Sequence, residues 1–156
     1  MQPNLRNNVI IPYQLKGLTP IFFENYSMSC VSISAIEKKN NFLILNGGKP
    51  SLRVEGKIVE KTWKELPSLF PGAMLGNYAL KPDEFIGIIT IDNSSSCENS
   101  TRLLPKILSA FKARSTKLLN LYHSSHGRVF WENNFCEYPI TNFNELRKAL
   151  KIIDRH

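Results

Sequence analysis

The residues able to do chemistry in this chain are few and poorly spaced for it. Three histidines occur, His123, His126 and His156. Two serines separate His123 from His126, and two imidazoles plus a remote carboxylate are a minimal ligand set for an ion such as zinc. The alternative is a pair of loop residues, with His123 favoured electrostatically near a helix C-terminus. Asp83 and Glu84 are neighbours. Adjacent side chains on a strand point to opposite faces, so these two make a poor general acid–base pair. Cys30, Cys97 and Cys136 are odd in number, far apart and without a Cys-x-x-Cys pair. That argues against a disulfide framework or a cysteine zinc site and fits a reducing cytoplasm. Cys136 needs a paired base to act as a thiolate, and nothing near it in sequence supplies one. It reads as a small buried apolar residue.

The chemistry of binding is better represented. The stretch from Arg102 to Tyr122 carries Arg102, Lys106, Lys112, Arg114 and Lys117 and no acid. Leu104, Ile107, Leu108, Phe111, Leu118, Leu119 and Tyr122 recur in it at three- and four-residue steps, the period of an amphipathic helix. At about 100° per residue, the apolar stripe lies opposite Lys106 and Lys117, with Arg102 and Arg114 flanking them. A rigid row of cations neutralises phosphate charge without reading sequence. The rival reading is a solvated face, although such helices ordinarily carry both signs. Arg128 follows and joins the candidate DNA-contacting set. Trp131, Phe135 and Tyr138 interleave with Asn133 and Asn134. Aromatics beside cations suit stacking on unpaired bases. Phe135 reads as core, and Trp131 suits either role.

These residues need elements to position them. The 156 residues suit one domain, and 42% apolar against 21% charged residues is the composition of a folded chain. No apolar run reaches the roughly 18 residues of a membrane span. The N-terminal MQPNLRNN lacks the apolar stretch of a secretory signal, so a cytoplasmic location is expected. The net charge of +7 is uneven: residues 1–100 hold 10 Lys/Arg against 9 Asp/Glu, residues 101–156 hold 10 against 4. The basic last third points to a polyanion, nucleic acid first.

Residues 1–20, with three prolines, read as an irregular N-terminal arm, and 21–156 as a single domain. A strand suited to the sheet centre follows from Phe22. Phe42–Leu45 and Leu52–Val54 flank Gly47-Gly48 as a hairpin. Gly56–Leu69 reads as a helix stopped by Pro71-Gly72. Met74–Lys81 and Phe85–Asp92 read as paired strands about Pro82-Asp83. A polar loop, Asp92–Ser100, precedes the basic helix. Val129–Trp131 is a short strand candidate, and Asn144–Ile153 a last helix. Interleaved strands and helices with short loops predict a layered α+β architecture.

Two stretches carry a resemblance to a known family. The first is LRVEGKIVEKTWKELPSLFP followed by MLGNYALKPDEFIGIITI; the second is LPKILSAFKARSTKLLN followed by VFWENNFCEYPITNFNELRKALKII. In order and spacing they resemble the REP-associated tyrosine transposases, relatives of the small insertion-sequence transposases with a His-hydrophobic-His metal motif. The likeness covers about residues 50–156 well and the N-terminal third loosely. It implies a ferredoxin-like antiparallel sheet with helices packed on one face. It also implies transesterification: two His hold Mg²⁺ or Mn²⁺ on a phosphate, and a Tyr on the final helix attacks it. The implied partner is DNA, single-stranded or hairpin.

The pattern fails at each catalytic position. KPDEFIGI aligns with the His-x-His segment, placing Glu84 and Ile86 at the two metal-ligand positions. Counting without gaps from Trp131 places Ile152 at the nucleophile position. One carboxylate does not hold a catalytic Mg²⁺ or Mn²⁺ unaided, so no cofactor and no catalytic residue are expected. Tyr138 stands where the family usually has His; without a metal site it reads as a packing or stacking residue rather than a displaced nucleophile. The expectation is a degenerate transposase-like DNA-binding protein. The alternatives are a domesticated interaction scaffold without DNA binding, or an active transesterase with relocated ligands.

Overall fold

A computed structural model describes residues 20–93 and 100–154. A short helix α1 (Pro20–Asn25) leads into strand β1 (Tyr26–Ser34). The turn to strand therefore comes four residues later than Phe22. The expected N-terminal arm lies outside the described residues up to position 19. A hairpin follows, β2 (Leu43–Asn46) and β3 (Lys49–Leu52), with Leu43 opposite Leu52. Its two-residue turn has φ +59° at Gly47 and +83° at Gly48. Positive φ at both positions matches the twist of the flanking strands and costs a glycine nothing.

The expected Gly56–Leu69 helix is two, α2 (Val54–Lys64) and α3 (Leu66–Leu69). Pro67 sits at the start of α3, where its missing N–H is tolerated. Strands β4 (Ala73–Lys81) and β5 (Glu84–Asp92) form the expected pair about Pro82-Asp83. Residues 94–99, most of the expected polar loop, lie outside the described part. The basic helix is α4 (Ser100–His123), and α5 (Phe143–Asp154) is the last element.

Two readings change. Val129–Trp131 is not a strand but a single bridge between Trp131 and Ala35. The fourth strand of the main sheet is instead β6 (Cys136–Ile140), CEYPI, only five residues long and interrupted by a proline. Its Pro139 has no N–H to give, and β6 sits at the sheet edge, where that loss is tolerated.

The main sheet runs β4-β5-β1-β6 with every neighbour antiparallel. The chain goes from β1 to β4 through α2, stepping over β5, and from β5 to β6 through α4, stepping over β1. These two split crossovers are the ferredoxin-like arrangement. The central strands β5 and β1 are buried along nearly their whole length, as their β-branched runs require.

Each face of the sheet has its own apolar cluster. On one face α2 and α4 deliver Trp63 and Phe111 onto Phe85, with ring centroids 4.6 Å and 5.2 Å from it. A Cβ on Gly87 would lie 3.0 Å from the Trp63 ring, so this strand position stays bare for the indole. The opposite face is covered by Leu146, Ala149 and Ile153 of α5, packed on Met28, Cys30, Ile86 and Ile88. The expectation of helices on one face thus holds for α2 and α4, whereas α5 crosses to the other. The physical reason is alternation. Ile86 and Ile88 of β5 point to one face and Phe85, Ile89 and Ile91 to the other, and both sets need cover.

Candidate nucleic-acid interface

The face under α5 holds the positions that the sequence pattern assigns to metal and nucleophile. Register fixes their order. Ile86 lies opposite Ser32, which lies opposite Cys136 on β6; one step along, Ile88, Cys30 and Tyr138 form the next row. Glu84 begins β5 opposite Ser34 and Lys81, half-buried, and accepts a hydrogen bond from the Ser32 hydroxyl. Ile86 is 3% exposed. Ile152, 38% exposed, lines a groove of about 400 Å³ between β6 and α5, together with Cys30, Tyr138 and Lys148.

The donor chemistry of this face does not fit a divalent metal. Glu84 offers oxygen, but its neighbour along the same face is the alkyl chain of Ile86. Among the described residues no three His, Cys, Asp or Glu side chains gather as a ligand set. The buried thiol of this face is not a ready nucleophile either. Burial, and then the charge of Glu84, push the Cys30 thiol up to about 12, with Lys81 opposing. A thiol so placed stays protonated and unreactive. Cys136, expected to be buried, is exposed, because it sits on the edge strand. His123 pairs with Glu55 at 3.3 Å, at the junction of α4 and α2, and His126 is an exposed loop residue.

The candidate DNA-contacting residues divide sharply. Lys106 and Lys117 are exposed on the side of α4 away from its buried stripe of Leu104, Ile107, Leu108, Phe111 and Leu119. Arg114 is exposed beside α2 and lies 3.6 Å from Glu65. Arg102 begins the same helix, but its side chain is outside the described set. Lys112 turns away from the other cations. Its ammonium donates to the backbone carbonyls of Glu132, Asn133 and Asn134 at 2.8, 3.0 and 3.3 Å. Desolvation there lowers its pKa, partly countered by Glu132. Arg128 pairs with Glu37 across the loop. Trp131 is 3% exposed, packed between Phe42, Phe111 and Phe130, so its ring faces no solvent on which a base could stack. Phe135 packs against the same core, as expected. Tyr138 remains 57% exposed.

One set of cations carries a signal that sequence reading passed over. Lys57, Lys61 and Lys64 of α2 are exposed, at the i, i+4, i+7 spacing of one helix face. In sequence they are the polar side of an amphipathic helix mixed with Glu55, Glu60 and Glu65. The structure draws most of the acids elsewhere. Glu55 pairs with Arg53 and His123, Glu60 accepts from the Tyr78 hydroxyl and also lies 4.0 Å from Lys64, and Glu65 pairs with Arg114.

In comparisons with known proteins, no family pattern and no curated sequence matches this chain. Its fold is similar to a solved structure of a REP-associated tyrosine transposase bound to a REP hairpin, with TM-score 0.59 and 12% identity. The match covers 81% of this chain and 64% of that one, so the chain spans less than two thirds of the neighbour's length. At that identity the likeness is one of fold: a transposase-like α+β domain with an antiparallel sheet. No helix of the described residues is long and apolar enough to cross a membrane.

Proposed function

We propose that this chain is a DNA-binding domain on a transposase-like fold that no longer performs transesterification. The observation that carries the binding half is α4. Its 24 residues contain no acid, and Lys106 and Lys117 project from the face opposite the buried stripe, with Arg114 beside them. Phosphate neutralisation requires that arrangement and nothing more specific. The structural neighbour holds a DNA hairpin, which is consistent with a structured DNA ligand here.

The loss of chemistry rests on residue types. Glu84, Ile86 and Ile152 occupy the α5 side of the sheet with one carboxylate and two alkyl groups among them. Phosphoryl chemistry needs charge stabilisation and an oriented nucleophile, and the Tyr138 hydroxyl in this groove has no metal ligand set among the described residues to activate a phosphate for it. The competing reading is an interaction scaffold without DNA. Titration of a labelled DNA hairpin at rising salt separates the two. Binding that weakens linearly in log–log form supports the DNA reading. No binding at low salt gives the lead to the scaffold.

A further inference from the structure

Helices α2 and α4 lie side by side on one face of the sheet, running in opposite directions. Two side-chain contacts fix this: Glu55 at the start of α2 meets His123 at the end of α4, and Glu65 past the end of α2 meets Arg114. Both helices bury one side on the sheet, through Val59, Thr62 and Trp63 from α2 and Ile107, Phe111 and Ser115 from α4. The sides facing away from the sheet therefore form one surface. Lys57, Lys61 and Lys64 make one row on it, and Lys106 and Lys117 make a second. At 1.5 Å per residue the rows span about 10 Å and about 16 Å. Packed helix axes are about 8–10 Å apart.

We infer that the α2–α4 layer is a two-row platform for the sugar-phosphate backbone of a base-paired DNA stem, with Lys57, Lys61 and Lys64 supplying half of it. This rests on the DNA-binding reading above and adds a second helix. The acids of α2 cancel little of the row: Glu55, Glu60 and Glu65 are engaged at its flanks, and the contact of Glu60 with Lys64 in the row, at 4.0 Å, is a solvent-screened pair of small energy. The choice of duplex over single strand comes from the aromatics. Single-strand binding surfaces interleave cations with exposed rings on which bases stack. Here Trp63 and Phe111 point into the core, and the half-exposed Tyr122 lies at the far end of α4, edge-on against His123 and outside the lysine rows. Rigidly spaced cations with no ring between them suit phosphates whose bases are already paired.

The test is fluorescence anisotropy with a labelled, fully paired DNA hairpin and, separately, an unstructured single strand of equal length. Parent protein is compared with Lys57→Ala/Lys61→Ala/Lys64→Ala, with the corresponding triple Lys→Arg variant, and with Lys106→Ala/Lys117→Ala. The α2 alanine triple is expected to bind the hairpin at least about tenfold more weakly, with a log–log salt slope flatter by about 2.7, three contacts at about 0.9 each. The arginine triple is expected to bind as the parent does. Should the alanine triple melt early, Lys61→Ala alone is expected to flatten the slope by about 0.9. Parent-like hairpin binding by the folded α2 variants, alongside loss in the α4 variant, overturns the platform and leaves the DNA reading intact. Equal affinity of the parent for the single strand overturns the duplex assignment. Absence of any binding by the parent removes the DNA reading itself, and the platform with it.

Discussion

The indole N–H of Trp131 donates to the Ser115 hydroxyl at 2.9 Å, and both side chains are closed to water. Ser115 in turn donates back to the carbonyl of Phe111 one turn earlier, at 2.7 Å. The bond pins the segment after α4 to the middle of that helix. A tryptophan that reads in sequence as a ring for stacking is thereby an internal fastening.

Ser115→Ala should therefore act on stability and not on binding. It leaves a buried indole N–H without its acceptor, which costs about 1–3 kcal/mol. A chain of this size loses about 2–4 °C of melting temperature per kcal/mol. Denaturant titration and hairpin affinity, measured on the same preparation, check this. A fall in affinity with unchanged stability would return Trp131 to the binding surface.

Lys112 should behave in the same way for a different reason. Its ammonium gathers three carbonyls of residues 132–134. Lys112→Met keeps the stem and removes the donors, so the loop loses its anchor while the outward cations remain. The expected result is a destabilisation of about 1–3 kcal/mol with an unchanged salt slope of DNA binding. A slope flatter by one contact would show that Lys112 reaches a phosphate after all.

The outward face of α4 should carry salt-dependent affinity. Lys106→Ala/Arg114→Ala/Lys117→Ala is expected to flatten the log–log slope by about 2.7 on the paired hairpin, at about 0.9 per contact. Stability should change little, since the exposed Arg114–Glu65 pair is worth about 0–1 kcal/mol. Parent-like affinity at every salt concentration would reduce this face to a solvated one.

No nick and no covalent DNA adduct should form with Mg²⁺ or Mn²⁺, as read on a denaturing gel. Ile152→Tyr alone should not change that, because a nucleophile without an activated phosphate does little. Glu84→His with Ile86→His and Ile152→Tyr is the smallest set that restores the family's residue types. Ile86→His places an imidazole in an apolar cluster, at a cost of about 1–3 kcal/mol, so the triple variant should melt lower than the parent. A metal-dependent adduct from the unaltered chain would overturn the assignment of these positions.

Thiol reactivity should separate the cysteines. In a Cys97→Ser background, exposed Cys136 should react with a disulfide reagent in the native state, and Cys30 only after denaturation. Cys30 ionises in the unfolded chain from its ordinary 9.0, but in the folded chain at about 12. The folded state thus holds the proton more tightly. Its contribution to stability is complete below pH 9 and is lost as pH rises from there through about 12. Cys30→Ala should remove that alkaline decline from the stability profile. An unchanged profile would place the titration elsewhere.

Much of this molecule is legible from its residues one element at a time. The Gly47-Gly48 turn, the β4–β5 hairpin, the 24-residue basic helix and the amphipathic last helix all follow from local period and turn chemistry. The missing ligands at Glu84 and Ile86 and the missing nucleophile at Ile152 are facts of residue type, visible before any fold. Strand β6 escaped because the Cys-x-Tyr-x-Ile alternation of Cys136–Ile140 is only five residues long and holds Pro139, a residue that argues against a strand. Pairing with β1 makes it a strand, and that contact joins residues more than 100 positions apart.

Tertiary structure decided which cations act together. Periodicity tells where a side chain points relative to its own helix axis, but not what stands across from it. Lys117 and Lys112 look alike in sequence. One is exposed, while the other is held by carbonyls brought up by a loop twenty residues later. Sequence charge placed the basic surface in the last third of the chain alone. The two crossovers of the fold set α2 against α4, and that packing places Lys57, Lys61 and Lys64 beside the α4 row. The local signal was a helix of mixed sign; partners outside α2 engage most of its acids, and within the row Lys64 also meets one, Glu60.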